Sequence, residues 1–564
     1  MSYDLKNIKL PRLAGTALKI LTAAVERAFP GKLLLPRILK DGGISAFRKL
    51  EFSERPTLMP LVAATRPATR REPDKNTLTR VSKIQNKQNG FQFISASAYR
   101  EAYRKKKITP VDVAVSISRF IDESNQKNMR AIVAANYENL MQQARASTER
   151  WKKGRPLSPL DGVPVSIKEE LDMIPYPSTA GTKFLGRDIV AEDATVVERL
   201  RSMGAMLIGK ANMHEIGIGV TGYNAHHGIA RNPYNPDHYT GGSSSGSAAS
   251  VAMGLNPISI GADGGGSIRL PAALCGVYGI KATFGRVSEH GAVPLCWSVA
   301  HVGPLAATAA DLALGYTAIA GPDRNDALSL KQPDVSLAAL FKADALKSLK
   351  GVRIGIYDPW FHDADPEVVA ACEDMLKIFT RKGAKVSAVE IPQLEAMRVA
   401  HLITIGSEMA ATFEEQYRKH RTDFGTDVRL NLAIARSFTA RDYVRAQRMR
   451  TRALGIFDTI YANVDVLLTP SSAVTAPPIQ EDVLSGGESD LTTLSKIMRF
   501  AVSSNLTGHP AVSFPVGYDS GGLPIGMQAI GRHWEEDLLL RLCFISEQHL
   551  RRREPVVYYN LLQS

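Results

Sequence analysis

The stretch ATVVERLRSMGAMLIGK (residues 194–210) decides the fold class. Residues 194–204 read as a helix closed by a glycine, and AMLIGK (205–210) follows as an apolar strand. Working outward, GVPVSIKE (162–169) is a second apolar strand, entered from a helical stretch near 97–153. Downstream, ATAADLALGYTAIAG (307–321) reads as helix and GVRIGIYD (351–358) as strand. PEVVAACEDMLKIFTRKG (366–383) is a helix with a glycine stop, and AKVSAVEIP (384–392) a further strand. Helices alternating with buried strands predict an α/β fold with a large mixed, mostly parallel-type sheet covered by helices on both faces. No internal repeat is present.

Composition is ordinary for a globular chain of 564 residues, which is long enough to bury a large core. The four cysteines (Cys275, Cys296, Cys372, Cys543) are far apart with no CxxC pair, which argues against a zinc site or a disulfide scaffold and fits a reducing, intracellular compartment. The net charge of +13 is uneven: residues 1–90 carry 18 Lys+Arg against 7 Asp+Glu, so the remainder is close to neutral. Nothing in this basic segment resembles a nucleic-acid module, and no nucleic-acid partner is expected. The polar start MSYDLKNIKLPR is not a secretory signal, and no run of eighteen uncharged apolar residues suggests a spanning helix.

LPRLAGTALKILTAAVERAF (10–29) has polar groups at Arg12, Thr16, Lys19 and Glu26, with Leu13, Ala17, Ile20, Ala24 and Ala28 on other faces. This is the spacing of an amphipathic helix, which Pro30-Gly31 is expected to break before the short run GKLLLPRILK (31–40). Two readings stay open: a helix packed on the body, or a helix lying on a membrane surface with basic flanks. Residues 63–90 read as a polar, basic linker. The chain thus divides into an N-terminal helical extension with linker (1–92) and a catalytic domain (93–564).

The densest chemical signal is TGGSSSGSAASVAMGLNPISIGADGGGSIR (240–269), glycine- and serine-rich at both ends with a small-residue helix between. Gly264-Gly265-Gly266-Ser267 sets consecutive N–H donors beside a hydroxyl, the combination that acyl transfer needs, although an ordinary glycine-rich loop has the same composition.

Together, GGSSSGS (241–247), GADGGGSIRLPAALCG (261–276) and PVSIKEE (164–170) resemble the amidase signature family. Ser243 precedes Ser267 by 24 residues and Lys168 precedes Ser243 by 75, spacings that match that family. The similarity runs from about 93 to 553 and includes DVLLTPSSAVTAPP (465–478) and NLTGHPAVSFPVG (505–517). The resemblance implies that Ser267 is the nucleophile, Ser243 a relay after a cis peptide bond, and Lys168 the base. A lysine acts as a base at neutral pH only when burial disfavours its charge, and Val165 and Ile167 beside it suit that. It further implies an oxyanion hole from the N–H groups of Gly264, Gly265, Gly266 and Ser267, with Asp263, Arg269 and Ser244 supporting the loop. No cofactor and no metal are implied.

Three competing motifs are weaker. Gly242–Gly246 fits G-x-S-x-G around Ser244, but a turn-rich loop precedes it where a strand is required. Gly217–Gly222 fits G-x-G-x-x-G without the adjoining strand. His214-Glu215 and His226-His227 lack further ligands, and His509 suits a structural part.

Within the family, KLPRLAGTALKIL…LLLPRILK, GKANMHEIGIGVTGYN (209–224), the triple serine and LAIARSFTARDYVRAQ (432–447) resemble the plant-type fatty acid amide hydrolases. That likeness implies a lipid amide substrate of the N-acylethanolamine type, peripheral membrane contact through the N-terminal segment, and a homodimer. The alternatives are an amidase of small or aromatic amides and the amidase subunit of a tRNA-dependent amidotransferase.

Overall fold

The computed structural model describes residues 3–563 apart from 9, 70–72 and 85–86. Those gaps fall within the N-terminal start and the linker, whose reading at these positions lies outside the described residues.

One sheet of eleven strands organises the molecule: β1 (Ile132–Ala134), β2 (Pro164–Lys168), β3 (Met206–Ala211), β4 (Ile258–Ala262), β5 (Tyr278–Lys281), β6 (Val302–Ala306), β7 (Arg353–Ile356), β8 (Lys385–Ala388), β9 (Val466–Pro470), β10 (Ala511–Tyr518) and β11 (Pro524–Gly531). Their spatial order is β8-β7-β9-β11-β10-β5-β6-β4-β2-β3-β1. The sheet is mixed, as expected, but not mostly parallel. Four neighbour pairs are parallel, β8–β7, β7–β9, β4–β2 and β2–β3. Six are antiparallel. The reason is connection length: β2–β3 and β7–β8 are joined through helices Thr195–Ser202 and Pro366–Arg381, as a parallel crossover requires. By contrast, β10 returns to β11 through a tight turn in which Asp519 N–H bonds Leu523 O at 2.9 Å. The two stretches in which helix and strand alternate most clearly are the parallel ends, and the antiparallel middle has no such signature.

Helices cover both faces. In β11, a Cβ on Gly526 would meet Ala273 of the helix Arg269–Leu274, whereas one on Gly531 would meet Leu539 of the helix Glu536–His549. An odd separation along a strand puts these two positions on opposite faces. Accordingly β2, β4, β9 and β11 are buried at every residue, including Lys168. Because β2 and β4 are parallel neighbours, their carboxyl ends lie side by side, and the loops after Lys168 and Ala262 emerge together.

The N-terminal extension packs on this body. Helices α1 (Gly15–Glu26) and α2 (Ala28–Asp41) meet at Arg27, whose ψ of 143° is extended. Pro30 and Gly31 therefore sit in the first turn of α2 and do not end a helix. The first turn needs no N–H from proline, so proline starts a helix there instead of breaking one. Leu18 and Val25 of α1 pack on Leu430, and Glu26 pairs with Arg429 at 2.6 Å. Ile20, expected on the apolar face, points outward. The reading of 63–90 as a linker is corrected by a short helix, α3 (Lys75–Val81), which buries Leu78 and Val81 in the core. Likewise the helical stretch 97–153 is interrupted by β1, three residues that close one edge of the sheet.

Candidate active site

Lys168 ends β2 with 1% exposure, and its Nζ lies 2.8 Å from Ser243 Oγ. Glu170 Oε1 is 3.2 Å from the same nitrogen and Ala262 O is 3.4 Å away. The Gly242–Ser243 peptide is cis. Ser243 O accepts the His214 N–H at 3.1 Å, which fixes the serine against the segment after β3. Ser244 ties three pieces together: its N–H bonds Ser267 O at 3.2 Å, and its hydroxyl donates to Ala262 O at 3.1 Å. It is thus a brace and no nucleophile elbow.

The loop from Ala262 to Arg269 is held by one carboxylate. Asp263 accepts from Gly266 N–H at 2.7 Å and Ile268 N–H at 3.1 Å, and meets Arg269 through Nε and Nη2, both at 3.0 Å. Asn505 Nδ2 reaches the Asp263 carbonyl and Oδ1, each at 2.9 Å. Burial alone would raise the Asp263 carboxyl, but the Arg269 guanidinium and the Asn505 amide hold it well below the usual carboxylate range. Arg269, fully buried, also donates to Ser504 Oγ at 2.8 Å and Gln528 Oε1 at 2.5 Å. Gly266 has φ +114° with Leu270 and Ala501 closing around it, a conformation and a space that only glycine fits.

Because Gly266 N–H is engaged by Asp263, the expected four-donor oxyanion set shrinks. The N–H groups of Gly264, Gly265 and Ser267 donate to no protein acceptor among the described residues. A residue that sequence reading missed anchors this loop from outside: His401 Nε2 lies 2.7 Å from Gly264 O. Burial lowers His401 to about 4, so the ring is neutral and donates to that carbonyl. His401 comes from the helix Leu394–Thr412, and nothing in its local sequence marks it. Glu170 was also missed: the strand ends at Lys168 and a turn closed by Leu171 N–H on Lys168 O at 3.1 Å brings Glu170 back to the lysine, which strand alternation does not reveal.

Two cavities meet at Ser267. The larger, about 290 Å³, is walled by Ile218, Val220, Met397, Leu402, Ile405 and Phe438, and by Leu5 and Ile8 of the extension. The smaller, about 140 Å³, is lined by Lys168, Ser243, Glu170, Glu289 and Cys296. Burial pushes the Cys296 thiol well above its ordinary range, so it is no competing nucleophile.

The family model described as Amidase matches residues 116–540. The chain belongs to the amidase signature family. As an amide-cleaving hydrolase, this amidase is 39% identical over 588 aligned positions to the fatty acid amide hydrolase of Medicago truncatula, covering 100% of this chain and 97% of that protein. A glutamyl-tRNA(Gln) amidotransferase chain of Chloroflexus aggregans is 35% identical, over 80% of this chain and 95% of that one. In structure, the amidase is similar to the native peptide amidase of Stenotrophomonas maltophilia, with TM-score 0.69, 27% identity, and coverage of 82% of this chain and 98% of that one.

Among the described residues no cluster of His, Cys, Asp or Glu could hold a metal ion, and no helix is long and apolar enough to cross a membrane. His214 pairs with Asp427 at 3.1 Å, and His226 with Glu215 at 2.8 Å. His509 lies against His533 with ring centroids 3.8 Å apart and the planes tilted by 37°.

Proposed function

We propose that this amidase hydrolyses long-chain fatty acid amides of the N-acylethanolamine type to a fatty acid and an amine. The observation that carries this is the pair of unlike cavities meeting at Ser267, one apolar and one holding Lys168 and Ser243. The apolar cavity suits the acyl chain. The chain-long similarity to a protein named fatty acid amide hydrolase, extension included, supports the same substrate.

In the proposed mechanism Lys168 takes the Ser243 proton while Ser243 takes that of Ser267. Ser267 Oγ attacks the amide carbon, and the oxyanion is held by the N–H groups of Gly264, Gly265 and Ser267. The relay then returns a proton to the nitrogen, the C–N bond breaks, and the amine leaves an acyl-serine that water cleaves. Asp263, Arg269 and Ser244 keep the loop in shape without touching the substrate.

The same proposal includes an intracellular enzyme, a homodimer and peripheral contact with lipid. Ile20, Phe29 and Leu33 are 65%, 77% and 69% exposed, beside Lys19, Lys32 and Arg37, which supports docking on an anionic bilayer surface. The decisive experiment is hydrolysis of N-acyl amides of increasing chain length by wild type, Ser267→Ala and Lys168→Ala. A long-chain preference with loss of roughly 10⁴-fold or more in Ser267→Ala is expected. Short-chain preference would remove the lipid substrate and keep the triad; full activity in Ser267→Ala would remove the triad.

A further inference from the structure

The smaller cavity has a charge pattern that the hydrolysis of a plain amide does not require. Its titratable lining consists of Lys168, Glu170, Asp263, Glu289, Cys296 and His301. Asp263 is neutralised by Arg269. Burial holds the His301 ring neutral and the Cys296 thiol protonated. What remains is one lysine facing two carboxyl groups.

Neither carboxyl is fully used by the protein. Glu170 is 3% exposed; one oxygen meets Lys168, and Oε2 is buried without a hydrogen-bond partner. A Cβ built on Gly217, a residue of the cavity wall, would lie 3.8 Å from that oxygen and 3.6 Å from Ser243 Oγ. The orphaned oxygen therefore borders the cavity next to the relay serine. Glu289 is fixed by its backbone, whose carbonyl accepts Ala292 N–H at 3.0 Å and whose N–H reaches Asp326 at 3.3 Å. Its carboxyl forms no hydrogen bond or ion pair among the described residues. Burial, then Asp326, Glu408 and Glu170, push it well above the ordinary carboxylate range, a cost to its charged form that a cation beside it would relieve and an anion would deepen.

Which half of the substrate meets this pair follows from the proton path. The proton that frees the amine returns through Ser243, which lines the smaller cavity; the described wall of the larger one contains neither Ser243 nor Lys168. We propose that Glu170 and Glu289 select the amine half by charge, admitting amines that carry a hydroxyl or ammonium group and rejecting those that carry a carboxylate or sulfonate. The inference rests on the reading of Ser267 as the acylated residue. A hydroxyl or ammonium donor gives Glu170 Oε2 and the Glu289 carboxyl a partner they now lack, whereas an anion would add a further negative charge beside Glu170.

The test compares N-(2-hydroxyethyl), N-(2-aminoethyl) and N-carboxymethyl amides, each with a butanoyl and a hexadecanoyl chain. In wild type, kcat/KM for the first two should exceed that for the carboxymethyl amide by about 30-fold. In Glu289→Gln the aminoethyl-to-carboxymethyl ratio should fall about tenfold. A ratio taken on one preparation cancels any loss of folded enzyme. Competition of wild type by free ethylenediamine against free glycine reads the same preference without a variant. Equal rates on all three amides, an unchanged ratio in Glu289→Gln, or equal inhibition by glycine would each overturn the proposal. Because both acyl lengths are run, a short-chain preference would cancel the lipid reading while leaving the head-group ratio measurable.

Discussion

The loop 261–269 and the N-terminal helices α1 and α2 break the usual burial rule in opposite directions. In the loop, Asp263 and Arg269 are charged, fully buried, and satisfied through Asn505, Ser504 and Gln528. In the helices, Phe29 and Leu33 are large, apolar and turned outward. A buried charge is tolerated only when its partners are fixed, so the loop is rigid by necessity. An exposed apolar pair costs the fold little, which leaves that face available for a partner.

That contrast can be broken by measurement. The largest stability effect is expected for Arg269→Ala, which strands the Asp263 carboxylate inside the protein. A loss of about 3–5 kcal/mol in denaturant unfolding is expected, with activity falling in parallel. A variant as stable as wild type would show that the loop does not depend on this pair.

His401→Gln sharpens the loop side. Losing the ring that donates to Gly264 O should cut kcat by roughly 10- to 100-fold with little change in KM. The pH dependence has a fixed sign. His401 is neutral in the folded state down to about 4, whereas the unfolded chain takes up the proton near its ordinary value of about 6.5. The unfolded state thus binds more protons in that window, and stability falls as pH drops from about 6.5 to about 4, by about 3 kcal/mol from this residue. Subtracting the His401→Gln unfolding curve from wild type across the window should reveal that slope. A flat difference would remove the assignment of a buried neutral ring.

A milder change is expected where the extension covers the cavity. Arg12 holds Glu488 at 2.6 Å, and Arg499 holds Asn7 and Asp363, so Leu5, Lys6 and Ile8 line the larger cavity as part of an anchored strap. Arg12→Ala should cost about 1 kcal/mol and raise KM for long acyl chains more than for short ones. Equal KM changes at both lengths would separate the strap from acyl binding.

The smallest effect on stability belongs to the double variant Phe29→Asp, Leu33→Asp. Unfolding should move by less than about 0.5 kcal/mol, while flotation with anionic vesicles should lose most of the bound protein. Deleting residues 1–90 is a poorer test, because Leu18, Val25, Leu78 and Val81 belong to the core. If the double variant proved less stable than Arg269→Ala, the contrast between the two regions would collapse.

Much of the site was legible because its residues are local. Ser243, Ser244, Asp263, Ser267 and Arg269 fall within thirty residues, and glycine at Gly266 answers a backbone demand that sequence displays directly. What was illegible came from far along the chain or from a donor already in use. His401 is 137 residues from Gly264, and Gly266 looks like any other loop N–H until Asp263 is seen to hold it. The extension misled for another reason. Periodicity reveals that a helix has faces, but burial falls on Leu18, Thr22 and Val25 because Thr22 satisfies its hydroxyl on Leu18 O at 2.8 Å.

By itself the sequence determined the α/β class, the family and the residues of the glycine-serine loop, since those depend on short-range pattern and on residue types that tolerate few substitutes. Only the tertiary structure decided the antiparallel middle of the sheet, the engagement of Gly266 N–H by Asp263, the two cavities that meet at Ser267 and the unfilled hydrogen-bonding capacity of Glu170 Oε2 and Glu289. The physical reason is range: a turn or a strand is fixed by neighbours in the chain, whereas a cavity and its charge are fixed by which distant side chains leave space and hydrogen bonds unfilled.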